Sequence, residues 1–67
     1  MIGIKIARIR AGLSQTELAK RINVGSQVIS RYERNAVTPR IEVLKAIANE
    51  LGVLIDDLVN DEGGKKK

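Results

Sequence analysis

The chain has 67 residues, of which 43% are apolar, and a formal net charge of +4. This length and apolar content are enough for one small domain with an aliphatic core. It contains no cysteine and no histidine, so disulfides, an ordinary zinc site and histidine-based acid–base or triad catalysis are excluded. No apolar run approaches the about 18 residues of a membrane-spanning helix, and lysine and arginine soon interrupt the apolar start, so we expect a cytoplasmic protein without a signal peptide.

The charge is divided unevenly along the chain. Residues 1–40 carry a net charge of +6, whereas residues 41–62 carry a net charge of −5 and the last three lysines add +3. A domain that is basic in one half is expected to turn that half toward a polyanion. Simple solubility is the alternative explanation.

Helical apolar spacing begins at the start of the chain. Residues 2–11 predict a first helix, which Gly12 is expected to end. One side of this helix carries Ile4, Ala7, Arg8 and Ala11, and the opposite side carries Ile2, Ile6 and Ile9. The three outer isoleucines are either partly shielded by the corner at Leu13 or form an apolar contact surface for another protein chain.

A capping box marks the second helix. Ser14 can accept a hydrogen bond from the Glu17 amide while Glu17 reaches back, which predicts a helix over about 15–22. Asn23 is expected to end this helix because asparagine tolerates positive φ. The predicted inner residues are Leu18, Ala19, Ile22 and Val24.

A third helix is predicted to start at Gly25 or Ser26, to bury Ile29 and Tyr32, and to end at Asn35. Two helices joined by so tight a turn, the second with polar side chains outward, make a helix-turn-helix. A helix about 10–12 Å wide with its side chains fits the major groove of B-DNA.

The rest of the chain predicts two more helices and a tail. Pro39 is expected near the start of a fourth helix, with Gly52 after its end. Residues 56–59 predict a short fifth helix, so the chain is expected to be an all-α domain over 1–60 with a flexible charged tail over 61–67. The predicted inner residues here are Leu44, Ile47, Ala48, Leu51, Val53, Ile55 and Leu58.

The sequence resembles the Cro and phage-repressor helix-turn-helix family, whose members have the five-helix lambda-repressor-like fold. The resemblance runs from about Ile4 to Val59. It rests on Arg8, Leu13-Ser14-Gln15-x-Glu17-Leu18-Ala19, Val24, Ile29-Ser30-x-Tyr32-Glu33-Arg34, Pro39, Leu44-x-x-Ile47-Ala48-x-x-Leu51-Gly52-Val53 and Leu58. Four positions depart from the family. It often has glycine in place of Asn23 and Asn35, and serine or threonine, which would cap a helix, in place of Gly25 and Leu54.

Helical geometry and the resemblance together indicate the residues that read DNA. The base-reading candidates are Ser26, Gln27, Ser30 and Arg31. We expect Gln27 and Arg31 to be the main readers, because glutamine can bond adenine with both ends of its amide and arginine can grip guanine. A solvated polar face is the alternative.

Phosphate contacts are expected beside this face. The resemblance implies that Gln15 contacts the DNA backbone and props the third helix; its place at a helix N-terminus suits phosphate. The further phosphate candidates are Arg10, Arg34, Thr38 and Arg40, each of which could instead be an ordinary surface residue. The resemblance also implies that Arg8 and Glu33 form a structural ion pair between the first and third helices.

The resemblance implies a transcription regulator, and we expect a repressor that binds a palindromic operator as a two-fold dimer. The dimer candidates are Leu54, Ile55, Asp57 and Val59. With no large C-terminal domain in the sequence, we expect this dimer to be weak without DNA. No metal and no cofactor is expected. The alternatives are an antitoxin or restriction-modification controller with the same DNA chemistry and a protein-interaction module; an enzyme is disfavoured.

Overall fold

The chain folds into helices joined by short connections. The computed structural model describes residues 1–59, and within that range it contains no strand. The helices are α1 (Ile2–Arg10), α2 (Gln15–Ile22), α3 (Ser26–Glu33), α4 (Ile41–Leu51) and α5 (Ile55–Val59). The prediction of an all-α five-helix domain is therefore confirmed. The predicted tail, residues 61–67, lies outside the described residues.

Helices α1 to α4 all end in the same way. A residue with a positive φ of 62° to 76° stands at the end of each of these helices. In α2 and α4 it is the C-cap, Asn23 and Gly52; in α1 and α3 it follows the C-cap, as Gly12 and Asn35. The next amide in each case bonds back to a carbonyl of the last helical turn, at 2.9 to 3.1 Å. This is the Schellman arrangement, which satisfies carbonyls left open at a helix end. All four predicted helix ends are confirmed, and asparagine serves at two of them because it tolerates the left-handed region.

The starts of the helices are less uniform. Ser14 Oγ accepts from the Glu17 amide at 3.0 Å, and Glu17 Oε1 accepts from the Ser14 amide at 2.7 Å, so the predicted capping box is present. The hydrogen bond from the Ser14 amide is the main reason that the pKa of Glu17 is lowered. Gly25, at the start of α3, has no side chain to cap it.

One of the two remaining predicted starts needs correction. Pro39 lies near the start of α4, as predicted: it is buried and directly precedes Arg40, the N-cap, and Ile41, the first helical residue. Helix α5 begins one residue earlier than predicted. The Leu54 amide, directly before it, donates to Asp57 Oδ2 at 3.0 Å, so an aspartate within the helix supplies one half of a capping box, and leucine at position 54 cannot supply the other half.

The core takes one fully buried side chain from each helix. Ile4, Leu18, Ile29, Ile47 and Leu58 each have 0% of their surface exposed. Burying a side chain of this size is worth about 1.5–3 kcal/mol, so every helix is held by the common core. All five lie among the predicted inner residues. The predicted inward position of Ala11 is wrong: it is exposed because it caps α1 beyond the last helical turn.

Helix α5 lies directly against α1 at Gly3. A Cβ atom at Gly3 would stand 2.5 Å from the carbonyl oxygens of both Asp57 and Leu58. Any side chain there would push the two helices apart, so this glycine inside a helix is explained by close packing. Within residues 1–59, no helix has the length and apolar character that crossing a membrane requires.

Candidate nucleic-acid interface

The turn between α2 and α3 sets the orientation of α3. Asn23 adopts φ 63° and ψ 47°, and Val24 follows it with its amide bonded to the Ala19 carbonyl at 2.9 Å. Ala19 is 2% exposed and Val24 is half-buried against the core. A small residue at this point lets the two helices cross closely, so α3 is fixed against α2.

The outward side of α3 carries the predicted base-reading residues. Ser26, Gln27 and Arg31 are exposed, and Ser30 is half-buried. Ile29 and Tyr32 face the core, as predicted. Within residues 1–59, no hydrogen bond or ion pair holds the side chains of Gln27 and Arg31. These two side chains are therefore available to an external partner.

A buried ion pair fastens α3 to α1. Arg8 Nε donates to Glu33 Oε2 at 2.6 Å, and Arg8 Nη2 donates to Glu33 Oε1 at 3.2 Å. The two side chains are only 11% and 4% exposed. The third guanidinium nitrogen, Nη1, donates to the Leu13 carbonyl at 2.8 Å in the connection before α2. The predicted bidentate pair is present, and its planar geometry fixes the angle between the two helices.

Gln15 joins this ion pair. Its Nε2 donates to Glu33 Oε1 at 3.0 Å, so the first residue of α2 is bonded to the last residue of α3. This is a direct route by which Gln15 could prop α3. An amide nitrogen carries two hydrogens, and the one that Glu33 does not accept can reach an external acceptor.

The phosphate candidates other than Gln15 are all exposed. Arg34 follows α3, where its Nε lies 3.4 Å from the Ser30 carbonyl. Arg40 is the N-cap of α4, beside amides that have no partner within the helix. Thr38 lies between them in the connection from α3 to α4, and Arg10 is the last residue of α1.

The outer isoleucines of α1 are substantially exposed. Ile2, Ile6 and Ile9 keep 39%, 44% and 57% of their surface, so shielding by neighbours is partial at best. Of the predicted dimer residues, Leu54 and Val59 are exposed, whereas Ile55 is half-buried against the core. The carboxylate of Asp57 is used within its own chain by the Leu54 amide.

Three features of this surface were not found from the sequence. Val37 and Ile41 are exposed apolar residues next to the phosphate candidates, and no periodic pattern marked them. The third feature is the amide of Gln27, which lies over Gly25. The absence of a capping side chain at Gly25 was visible in the sequence, but the position of the Gln27 side chain was not.

Comparison with known proteins gives a consistent result. The chain is 34% identical over 64 residues to the HTH-type transcriptional regulator ImmR of Bacillus subtilis (strain 168), which is 96% of this chain and 50% of that protein. It is 34% identical over 58 residues to the cryptic phage CTXphi transcriptional repressor RstR of Vibrio cholerae, 87% of this chain and 52% of that protein. It is 40% identical over 50 residues to multiprotein-bridging factor 1c of Arabidopsis thaliana, 75% of this chain and 34% of that protein.

The chain thus spans about half the length, or less, of the curated relatives it matches. No solved structure gave a significant match. A family model described as helix-turn-helix matches residues 4–58, a span that holds nearly all of the described helices. With its fold, its braced α3 and this match in agreement, the chain belongs to the helix-turn-helix family of the phage repressors.

Proposed function

We propose that this chain binds double-stranded DNA in a sequence-specific way and acts as a transcriptional repressor on a palindromic operator. This proposal rests on the geometry of α3. Its outward polar side chains Ser26, Gln27 and Arg31 are exposed, while the buried ion pair of Glu33 with Arg8 holds the C-terminal end of the helix. A rigidly held helix with free polar side chains is what reading the major groove requires.

Gln27 and Arg31 read base edges in this proposal, with Ser26 and Ser30 beside them. Each good bidentate contact discriminates against the wrong base by about 1–3 kcal/mol. Arg10, Gln15, Arg34, Thr38 and Arg40 contact phosphates, which fix the position of α3 on the duplex without reading sequence. The exposure of Arg10, Arg34, Thr38 and Arg40 and the second amide hydrogen of Gln15 support this assignment.

The protein binds as a two-fold dimer, because one α3 reads only a few base pairs. Two half-sites about one DNA turn apart, roughly 34–36 Å, give useful specificity. The exposed side chains of Leu54, at 70%, and Val59, at 43%, support a contact around the start and end of α5, with Ile55 and Asp57 between them.

Selection of bound duplexes from a random pool tests the proposal most directly. We expect an enriched palindromic site. Q27A and R31A should each lower affinity for that site and relax preference at one base pair per half-site, whereas R40A should weaken binding to all sequences alike. K45A, which removes an exposed lysine on α4, is the matched control and should leave binding unchanged. A pool that shows no enrichment would overturn sequence-specific binding.

Salt dependence tests the phosphate contacts separately. The three arginines assigned to phosphates give six contacts in a dimer, so log K should fall with log [salt] at a slope of about −5. Between 50 and 200 mM salt this amounts to a loss of affinity of about 10³-fold. A nearly flat salt dependence would contradict the phosphate assignment while leaving the base-reading residues to be tested.

The outer side of α1 favours a second candidate function, the binding of another protein. Ile2, Ile6 and Ile9 together present apolar surface that water does not favour. The resemblance to a protein named multiprotein-bridging factor adds support. In sedimentation experiments with and without the operator, I6K should abolish association with a protein partner and leave DNA affinity intact; unchanged association would remove this candidate.

A further inference from the structure

The amide of Gln27 occupies the space in which residue 25 would carry a side chain. A Cβ atom built on Gly25 would lie 2.9 Å from Gln27 Oε1, 3.2 Å from Cδ and 3.3 Å from Nε2. All three distances are shorter than ordinary van der Waals contact. The amide group as a whole therefore lies back over Gly25, at the N-terminus of α3.

The backbone of Gly25 does not itself require glycine. Its φ is −77° and its ψ is 151°, in the extended region that any residue adopts. The connection would therefore accept alanine or serine without strain, and serine would also cap α3. The three atoms nearest to a Cβ at this position all belong to the end of the flexible Gln27 side chain. Glycine caps α3 less well than serine would, but it leaves room for the Gln27 amide above residue 25.

Within residues 1–59, the side-chain amide of Gln27 has no hydrogen-bond partner, and the residue is exposed. The amide can lie over residue 25 because Gly25 has no Cβ atom there. A Cβ at residue 25 would displace the amide from this position. Because a bidentate contact with adenine needs both ends of the amide in one plane with the base edge, moving it changes which base edge it meets.

We propose that Gly25 is a specificity-determining residue, which acts by letting the amide of Gln27 lie back over the start of α3. The proposal rests on the proposed function, because it concerns how that function selects its site. Gly25 is a positioning residue in this account; Gln27 makes the contact with the base.

The first test needs no DNA. The side-chain amide resonances of Gln27 are compared by NMR in the wild type, G25A and G25S. We expect them to move in both variants, while the backbone amides of the buried part of α3 stay in place. G25A loses capping ability and G25S gains it. A common effect of the two therefore comes from the Cβ atom and not from the stability of α3. Unmoved Gln27 resonances would overturn the proposal whether or not the protein binds DNA.

The second test measures site preference. Duplexes selected by the wild type are varied at each base pair and their relative affinities measured for the wild type, G25A, G25S, Q27A and the two double variants. The base pair whose preference depends on Gln27 should change its relative affinity by about tenfold in G25A and G25S alike. Preferences that depend on Arg31 should stay as they are, and in the Q27A background neither substitution at residue 25 should have an effect.

Three results would overturn the proposal while leaving sequence-specific DNA binding itself in place. One is a wild-type preference retained by both Gly25 variants. Another is a shift that persists in the Q27A background, which would mean that the new side chain touches DNA itself. The third is a Q27A variant with unchanged preferences. A wild type that enriches no sequence would instead remove the proposed function, and this inference with it.

Discussion

Arg8 and Arg10 lie two positions apart on α1 in different environments, one buried and one exposed, so they make a sharp test of how this fold is held. We expect R8A to destabilise the protein far more than R10A does. Arg8 is 9% exposed and its guanidinium makes three hydrogen bonds, whereas Arg10 is exposed and no hydrogen bond or ion pair holds it within residues 1–59.

The magnitude follows from what R8A leaves behind. The carboxylate of Glu33, 4% exposed, would keep only the hydrogen bond from Gln15, and the Leu13 carbonyl would lose its guanidinium donor. Removing one partner of a buried pair costs about 3–5 kcal/mol because the other charge stays buried without compensation. For a domain of this size that corresponds to a fall in Tm of about 12 °C or more. An exposed substitution such as R10A stays within about 0.5 kcal/mol.

The assay is urea and thermal unfolding followed by circular dichroism at the helical band. A double variant, R8M with E33L, separates charge from packing: replacing both members by apolar residues of similar volume should restore most of the lost stability. R8K should remain well below the wild type, because lysine cannot make the planar bidentate contact. If R10A were as destabilising as R8A, or if the double variant were no better than R8A, the reasoning from an orphaned buried charge would be refuted.

Three further outcomes follow from local geometry and can be measured in the same unfolding experiments. G3A should destabilise the folded protein by about 1–3 kcal/mol, because the added methyl group would be overpacked against α5. Helix propensity alone would predict a gain in stability of about 1 kcal/mol. A more stable G3A variant would mean that α5 does not lie against α1 as described. N23G should be neutral or slightly stabilising and N23A should cost about 1 kcal/mol, since φ is 63° there; equal stability of the two would contradict the left-handed turn. The pKa of Glu17 in the folded state lies below its ordinary value of 4.5, so the stabilisation from its carboxylate is present above pH 4.5 and is lost as the pH falls through the folded-state pKa. E17Q should flatten this part of the curve of stability against pH. An identical curve for E17Q would rule out the capping box as the source of this pH dependence.

Local rules in the sequence were sufficient for the helices and their ends. The αL tolerance of glycine and asparagine places the ends of α1 to α4, and the Ser14–Glu17 capping box places the start of α2, because each depends on residues only a few positions apart. The five fully buried residues were also predictable, since each lies on the apolar side of its own helix. The start of α5 was placed one residue late because Leu54, the residue before it, carries no capping side chain to mark it.

The contacts between helices were decided by the tertiary structure. A glycine inside α1 reads as a weak point in the sequence, and only the approach of α5 shows that a side chain there has no room. The resemblance implied a pair between Arg8 and Glu33, but the fold alone adds Gln15 and the Leu13 carbonyl to it. The same holds for Gly25, whose missing Cβ matters because of where the Gln27 amide lies. The physical reason is range: propensity and capping act within one helical turn and are written in neighbouring residues, whereas packing distances and buried polar partners depend on all the helices at once.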